Sequence, residues 1–265
     1  MILAIDVGVK NLGLCLLSCE DKKDFSTYSI EFWGSFDTLK EDSFTCQGIQ
    51  KNGKVCGKKC CYKYDLEEIT SYTCKSHFPK EIVPGVINKY SQKKVADYTL
   101  QELATATLNT LNDIYSNNKE LFDKIKCILV ELQPTFAVKM KFISHIIFGK
   151  FTELFIDKNI SIKFVRATEK LKVYDGPELT CELKGAYAKR KWMSIQHTTW
   201  FLENKFTKEQ REKWLPTLQG KGDDSADCLC YCLYYFLGSS ISRATSKSKF
   251  IRKRTKKNSK AISII

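Results

Sequence analysis

Apolar and polar positions change rhythm several times along this chain. Residues 1–36 carry short apolar runs divided by turn residues: MILAID, a turn at Val7–Asn11 with Gly8, Leu12–Cys19, a charged turn at Glu20–Asp24, then Tyr28–Phe36. Such runs predict three strands of an antiparallel meander. Across 44–80 the apolar periodicity vanishes while Cys, Lys and Gly rise, which predicts an inserted module. A helical period returns over Ser91–Tyr115, with Val95, Tyr98, Leu103, Leu108, Leu111 and Ile114 in phase, Ser91 as the expected N-cap and Asn117–Asn118 as the stop. Ile125–Gln133 is a near-continuous apolar run, as in a parallel strand covered on both faces, and Pro134 ends it. Phe136–Ile156 is expected to be helical, Ile160–Ala167 a short strand, Gly185–Lys205 a long helix, Leu215–Gly222 a loop and Asp223–Leu237 the last helix. From Ser239 onward the chain is polar and basic and is expected to be disordered.

The predicted domains are therefore 1–43 with 81–238, an insert at 44–80, and a basic tail at 239–265. Three meander strands followed by strand–helix units predict an α/β fold: a mixed five-stranded sheet with helices on both faces. This is the order of the ribonuclease H-like fold. There the first and fourth strands are neighbours, so Asp6 and Glu131 would lie side by side, and the final helix would bring Asp224 and Asp227 over the same spot.

Charge changes the picture. The 265 residues carry a formal net charge of +13 and a pI of about 9.1, which points to a polyanionic partner, nucleic acid before an anionic membrane surface. No stretch approaches the ~18 apolar residues of a membrane span, and the N-terminus enters a strand without a basic leader, so no signal peptide is expected. The twelve cysteines divide. Cys15, Cys19, Cys127, Cys181, Cys228, Cys230 and Cys232 lie in apolar segments as small hydrophobes; the rest fall between Cys46 and Cys74. A reducing intracellular compartment without disulfides is the expectation.

Against this basic background, Asp6, Glu131, Asp224 and Asp227 stand out. Clustered carboxylates repel unless a cation sits among them. Glu131, inside ILVELQP, places a charge in a buried run that needs a partner. Asp224 and Asp227, spaced i, i+3, share a helix face, whereas Asp223 is expected to point elsewhere as a first-turn charge. Two Mg²⁺ ions are the cations that suit oxygen ligands, and phosphodiester hydrolysis is the chemistry they suit.

The segments AIDVGVKNLGLCLL, VELQPTFAVKMKFISHIIFGKF, YAKRKWMSIQHTTWFL and KGDDSADCLCYCLYY resemble successive motifs of the poxvirus-type, RuvC-like Holliday junction resolvases of nucleocytoplasmic large DNA viruses. The resemblance spans nearly all of the chain except insert and tail. It implies that Asp6, Glu131, Asp224 and Asp227 bind Mg²⁺ as the catalytic set, and that a homodimer cuts branched DNA, a four-way junction above all, symmetrically. It also implies a setting in the host cytoplasm, at a viral factory, or in the nucleus. The insert departs from the compact family pattern.

Within the insert, Cys46, Cys56, Cys74 and His77 have the ligands of a closed structural Zn²⁺ site. Asn52-Gly53 is a turn signal that would bring Cys46 beside Cys56; Cys60 and Cys61 compete as ligands. So small a segment needs a staple to fold. Lys184, Lys189, Arg190 and Lys191, early in the long helix, are expected to face the acids and hold DNA phosphates; Lys191 or Lys170 could also reach the scissile phosphate. The nine Lys and Arg residues from Arg243 to Lys260 add salt-sensitive affinity or serve nuclear import. His145 and His197 are expected to be packing or surface residues. Two other functions fit the same residues: a nuclease for RNA–DNA hybrids, or a non-catalytic zinc-containing DNA-binding protein.

Overall fold

A computed structural model describes residues 1–39, 44–66, 69–78, 87–91, 93–220 and 222–238. Its strands are β1 (Ile2–Asp6), β2 (Asn11–Cys19), β3 (Tyr28–Asp37), β4 (Tyr62–Leu66), β5 (Ile69–Thr73), β6 (Ile87–Lys89), β7 (Cys127–Leu132) and β8 (Ser161–Arg166). Its α-helices are α1 (Leu100–Asn117), α2 (Lys119–Phe122), α3 (Val138–Leu154), α4 (Ala186–Asn204), α5 (Lys208–Trp214) and α6 (223–238). Residues 1–38 with those from 100 onward form one compact unit, and 39–99 form another. The second unit is wider than the cysteine-rich stretch alone. The basic tail lies outside the described residues.

The larger unit holds a sheet of order β3-β2-β1-β7-β8. β1, β2 and β3 pair antiparallel; β7 is parallel to β1 and β8 parallel to β7. This is the mixed five-stranded, ribonuclease H-like sheet that the element order predicts. Successive side chains alternate between faces. Ile2, Ala4, Cys15, Leu17, Cys127 and Leu129 pack with Phe201 and Leu202 of α4 and with Cys228, Leu229, Cys232 and Leu233 of α6. Leu3, Ile5, Leu14, Leu16, Ile128 and Val130, of opposite parity, are equally buried, and α3 contacts β7 and β8 and packs against α1. Helices cover both faces, which is why β7 is apolar along its whole buried length.

Three expectations need correction. The first helix starts at Leu100, not Ser91. Val95–Asp97 closes a separate 3-10 turn in which the Asp97 carboxylate accepts from the Lys94 N–H, and Tyr98 is then extended (φ −75°, ψ 134°), so the backbone leaves helical geometry before α1 begins. Helix α5 was not marked by apolar periodicity, because none of its residues is buried; Thr207 caps it instead, its hydroxyl accepting from the Gln210 N–H. Part of the expected loop after it is a 3-10 turn, Leu215–Leu218, with Pro216 in its first turn.

The smaller unit carries a three-stranded antiparallel sheet of order β5-β4-β6. Ahead of it, Ile49 bridges Val55, the Cys56 N–H donates to Gly48 O, and Gly53 takes φ 78° between them. That left-handed turn is what Asn52-Gly53 predicts, and it draws the Cys46 and Cys56 ends together. Among the described residues no helix is long and apolar enough to cross a membrane.

Candidate functional site

The pairing of β1 with β7 runs to Ile5↔Val130, so the next residues, Asp6 and Glu131, emerge together at the strand ends. Their carboxyls hydrogen-bond. Burial, then the hydrogen bond and charge of Glu131, hold Asp6 well above the usual carboxylate range. Burial also works on Glu131, but the hydrogen bond from Asp6 and the charge of Lys170 outweigh it and keep Glu131 below its usual range. Of the two, Asp6 is the harder to ionise and Glu131 the easier. Gln133 donates to Glu131 Oε2 at 3.3 Å.

Asp224 and Asp227 reach the same place from α6. Lys191 Nζ lies 3.9 Å from Asp6, 2.9 Å from Asp224 and 3.5 Å from Asp227. It also lies 2.9 Å from Asp223. Asp223 thus joins the group rather than pointing away, because the first turn of α6 presents both of its acids to α4. Lys170, in a 3-10 turn (Lys170–Val173) after β8, pairs with Asp227 and stands 3.9 Å from Glu131. Burial alone would lower both lysine pKa values; the surrounding acids raise them instead. One oxygen of Asp227, Oδ1, is buried without a hydrogen-bond partner. A buried, all-oxygen donor set with an orphaned carboxylate oxygen fits a hard divalent cation.

A glycine and a cysteine hold these two halves in register. Asp6 pairs across the sheet with Gly13. A Cβ on Gly13 would stand 2.6 Å from Asp224 O and 2.9 Å from Cys228 Sγ, so only glycine lets α6 descend onto β2. Cys228 Sγ then accepts the Asp6 N–H at 3.2 Å. We expect Gly13→Ala to push α6 outward, costing about 1–3 kcal/mol of stability and at least tenfold in any activity of the acid cluster. Thermal melts paired with rate measurements check this; an unchanged rate in the mutant would refute it.

The acids floor a cleft of about 980 Å³ rimmed by Lys10, Lys141, Arg166 and Arg190 and by the aromatics Phe136 and Tyr187, 85% and 67% exposed. Of the expected phosphate contacts, Arg190 and Lys191 line the cleft. Lys184 and Lys189 are exposed and do not. Lys10, Lys141, Arg166, Phe136 and Tyr187 went unmarked in the sequence, where a lone Lys or Phe carries no signal; their shared feature is proximity in space to Asp6 and Glu131. His197 is buried, stacked on Tyr174 at 4.0 Å, and burial lowers its pKa to about 4. It is a packing residue, as expected. His145 is exposed, its Nδ1 2.6 Å from Lys141 O.

In the smaller unit, Cys46, Cys56, Cys74 and His77 bring one ligand atom each to within 4.8 Å of the others. Among the described residues this is the group of three or more Cys, His, Asp or Glu gathered to metal-ligand spacing. Cys46 Sγ and Cys74 Sγ each lie 3.5 Å from His77 Nδ1, and Cys56 Sγ lies 3.9 Å from Cys74 Sγ. A tetrahedron with Zn–S of about 2.3 Å and Zn–N of about 2.0–2.1 Å has S···S edges of about 3.8 Å and S···N edges of about 3.6 Å. The fit is close. Gly48 makes room, since a Cβ there would meet the His77 ring at 2.5 Å. Burial opposes ionisation of Cys74, but the His77 and Ser76 N–H groups outweigh it and lower the pKa to about 6. Cys60 and Cys61 lie outside the ligand group.

Sheet order, parallel β7 between β1 and β8, and acids at the ends of β1 and β7 and on the last helix define a ribonuclease H-like domain with an acidic cleft. No family model matches the sequence. An Acanthamoeba polyphaga mimivirus protein described as "Uncharacterized protein L451" is 30% identical over 215 residues, 76% of this chain and 51% of that protein, so the chain spans about half the length of this relative. Structural neighbours are Holliday junction resolvases. The yeast mitochondrial enzyme Ydc2 has a TM-score of 0.46 at 12% identity, covering 94% of this chain and 85% of its own. Fowlpox virus resolvase, solved with Holliday junction DNA, has 0.40 at 12% identity, covering 87% and 95%. Thermus thermophilus RuvC has 0.39 at 9% identity, covering 89% and 96%.

Proposed function

We propose that this chain is a Mg²⁺-dependent, structure-selective DNA endonuclease that resolves four-way junctions and other branched DNA. The observation that carries this reading is the oxygen-only acid set on the floor of a basic-rimmed cleft, with Asp227 Oδ1 buried and unpartnered. Such a set, facing a polyanion, would repel its own substrate unless cations stood between. Asp6, Glu131, Asp224 and Asp227 would hold the ions. When bound, the two ions supply an activated water and stabilise the leaving oxygen of an in-line displacement.

The chain's own residues do the rest. Positive charge entering the cleft would favour the ionised form of Asp6, against the burial and the Glu131 charge that oppose it. Gln133 orients the Glu131 carboxylate. Lys10, Arg166 and Arg190 hold the flanking phosphates, and water attack on phosphorus leaves a 5′-phosphate and a 3′-hydroxyl. Two symmetric cuts need two clefts, which a homodimer supplies. The Cys₃His group would hold a structural Zn²⁺ that folds the smaller unit.

The test is cleavage of a labelled mobile four-way junction, a duplex and an RNA–DNA hybrid, each with Mg²⁺ and with EDTA. Paired symmetric nicks in the junction, lost with EDTA, are expected. Preferential cutting of the hybrid would move the assignment to an RNA-strand nuclease. Tight junction binding without cutting in Mg²⁺ or Mn²⁺ would make it a non-catalytic DNA-binding protein.

A further inference from the structure

We propose that Lys191 is a displaceable counter-cation: its ammonium group occupies the acid site until a divalent ion binds, and it then swings to the cleft mouth. This deepens the metal-nuclease reading above and rests on it. The two lysines among the acids differ in freedom. Lys170 has a side chain only 7% exposed and pairs with Asp227, itself 2% exposed; it is locked. Lys191 is 21% exposed, and its Nζ lies within 3.9 Å of Asp6, Asp223, Asp224 and Asp227 at once. Those contacts mark the point of greatest negative charge in the cleft, where a divalent ion would settle.

The exit is built. One turn earlier on α4, Tyr187 is 67% exposed and lines the same cleft. Lys191 Nζ already lies 5.8 Å from its ring centroid. An i, i+4 aromatic at the mouth offers the leaving ammonium a cation–π partner, and a phosphate entering the cleft offers it a stronger one. A resident ammonium lowers the apparent affinity for metal by the fraction of time it is in place. Removing it should therefore tighten metal binding, while removing an equal charge outside the cleft should not.

The experiment is calorimetric titration of the zinc-loaded full chain with Mn²⁺, without DNA, in wild type, Lys191→Met, Lys191→Gln, Lys172→Met and Asp6→Asn. Lys172 pairs with Glu169 at 2.7 Å and does not line the cleft. Both Lys191 variants are expected to bind Mn²⁺ roughly tenfold more tightly, equivalent to ~1.4 kcal/mol, and, with zinc kept in place, to melt lower than wild type without Mn²⁺ but not with it. Lys172→Met is expected to match wild type. Unchanged or weaker binding in both folded Lys191 variants overturns the proposal while leaving the metal site intact. Equal tightening in Lys172→Met overturns it in favour of a general field effect. Binding that does not depend on Asp6 in any variant overturns both the proposal and the metal-nuclease reading.

Discussion

Asp6→Asn is expected to lower junction cleavage by at least about 10³-fold and to leave junction binding as tight or tighter. Asp6 is buried, and burial with the neighbouring Glu131 disfavours its ionisation, so an uncharged, hydrogen-bonding side chain suits the position. An asparagine amide has nearly the same shape and also donates, so the fold should change by less than about 1 kcal/mol. What asparagine cannot do is become an anion when cations enter, so the acid set would lose one of its ligands. Removing one potential negative charge from a cleft that faces phosphate can only help binding. Gel-shift and cleavage assays on one preparation separate the two effects. A folded Asp6→Asn protein that cuts at more than a tenth of the wild-type rate, or that no longer binds junctions, would sink the assignment.

Stripping zinc is expected to unfold residues 39–99 and leave the acid-bearing unit folded. The two are separate compact units, and among the described residues the smaller one's buried side chains are largely cysteines: Cys46, Cys60 and Cys74, with Thr73. So small an apolar core cannot offset the entropy of ordering the segment. Zinc binding to a Cys/His site contributes about 10–16 kcal/mol, more than a unit of this size has in reserve. Cys74→Ser should have the same effect as a strong chelator, because Cys74 contacts both His77 and Cys56. Limited proteolysis with metal analysis would show cuts confined to the smaller unit and release of about one zinc per chain. Unchanged protease resistance after complete zinc removal would refute the staple.

Some of this site was plain in the chain and some was not. Glu131 was conspicuous because a charge inside ILVELQP has no bland explanation, and Asp224 and Asp227 because i, i+3 spacing already puts them on one helix face. Asp223 was misjudged on the same spacing logic. Helical periodicity orients a side chain about its own axis, but Asp223 finds its partner on another helix, Lys191 of α4. Cys228 looked like one more small hydrophobe until its sulfur was found on the Asp6 N–H.

The sequence by itself determined what local physics can encode. Strand alternation, the apolar run of β7 and the Asn52-Gly53 turn specify elements and their order, and that order in turn specifies which strands are neighbours. The Cys and His types specify which metal they suit. Spacing and the Asn52-Gly53 turn already pointed to Cys46, Cys56, Cys74 and His77, and tertiary structure decided the competition by leaving Cys60 and Cys61 outside the group. It alone decided that Lys170 is locked and Lys191 partly open, and that burial beside Glu131 holds Asp6 above its usual range. Burial and charge–charge distance set those properties, and both arise only when residues from about thirty to more than a hundred positions apart in the chain are packed together.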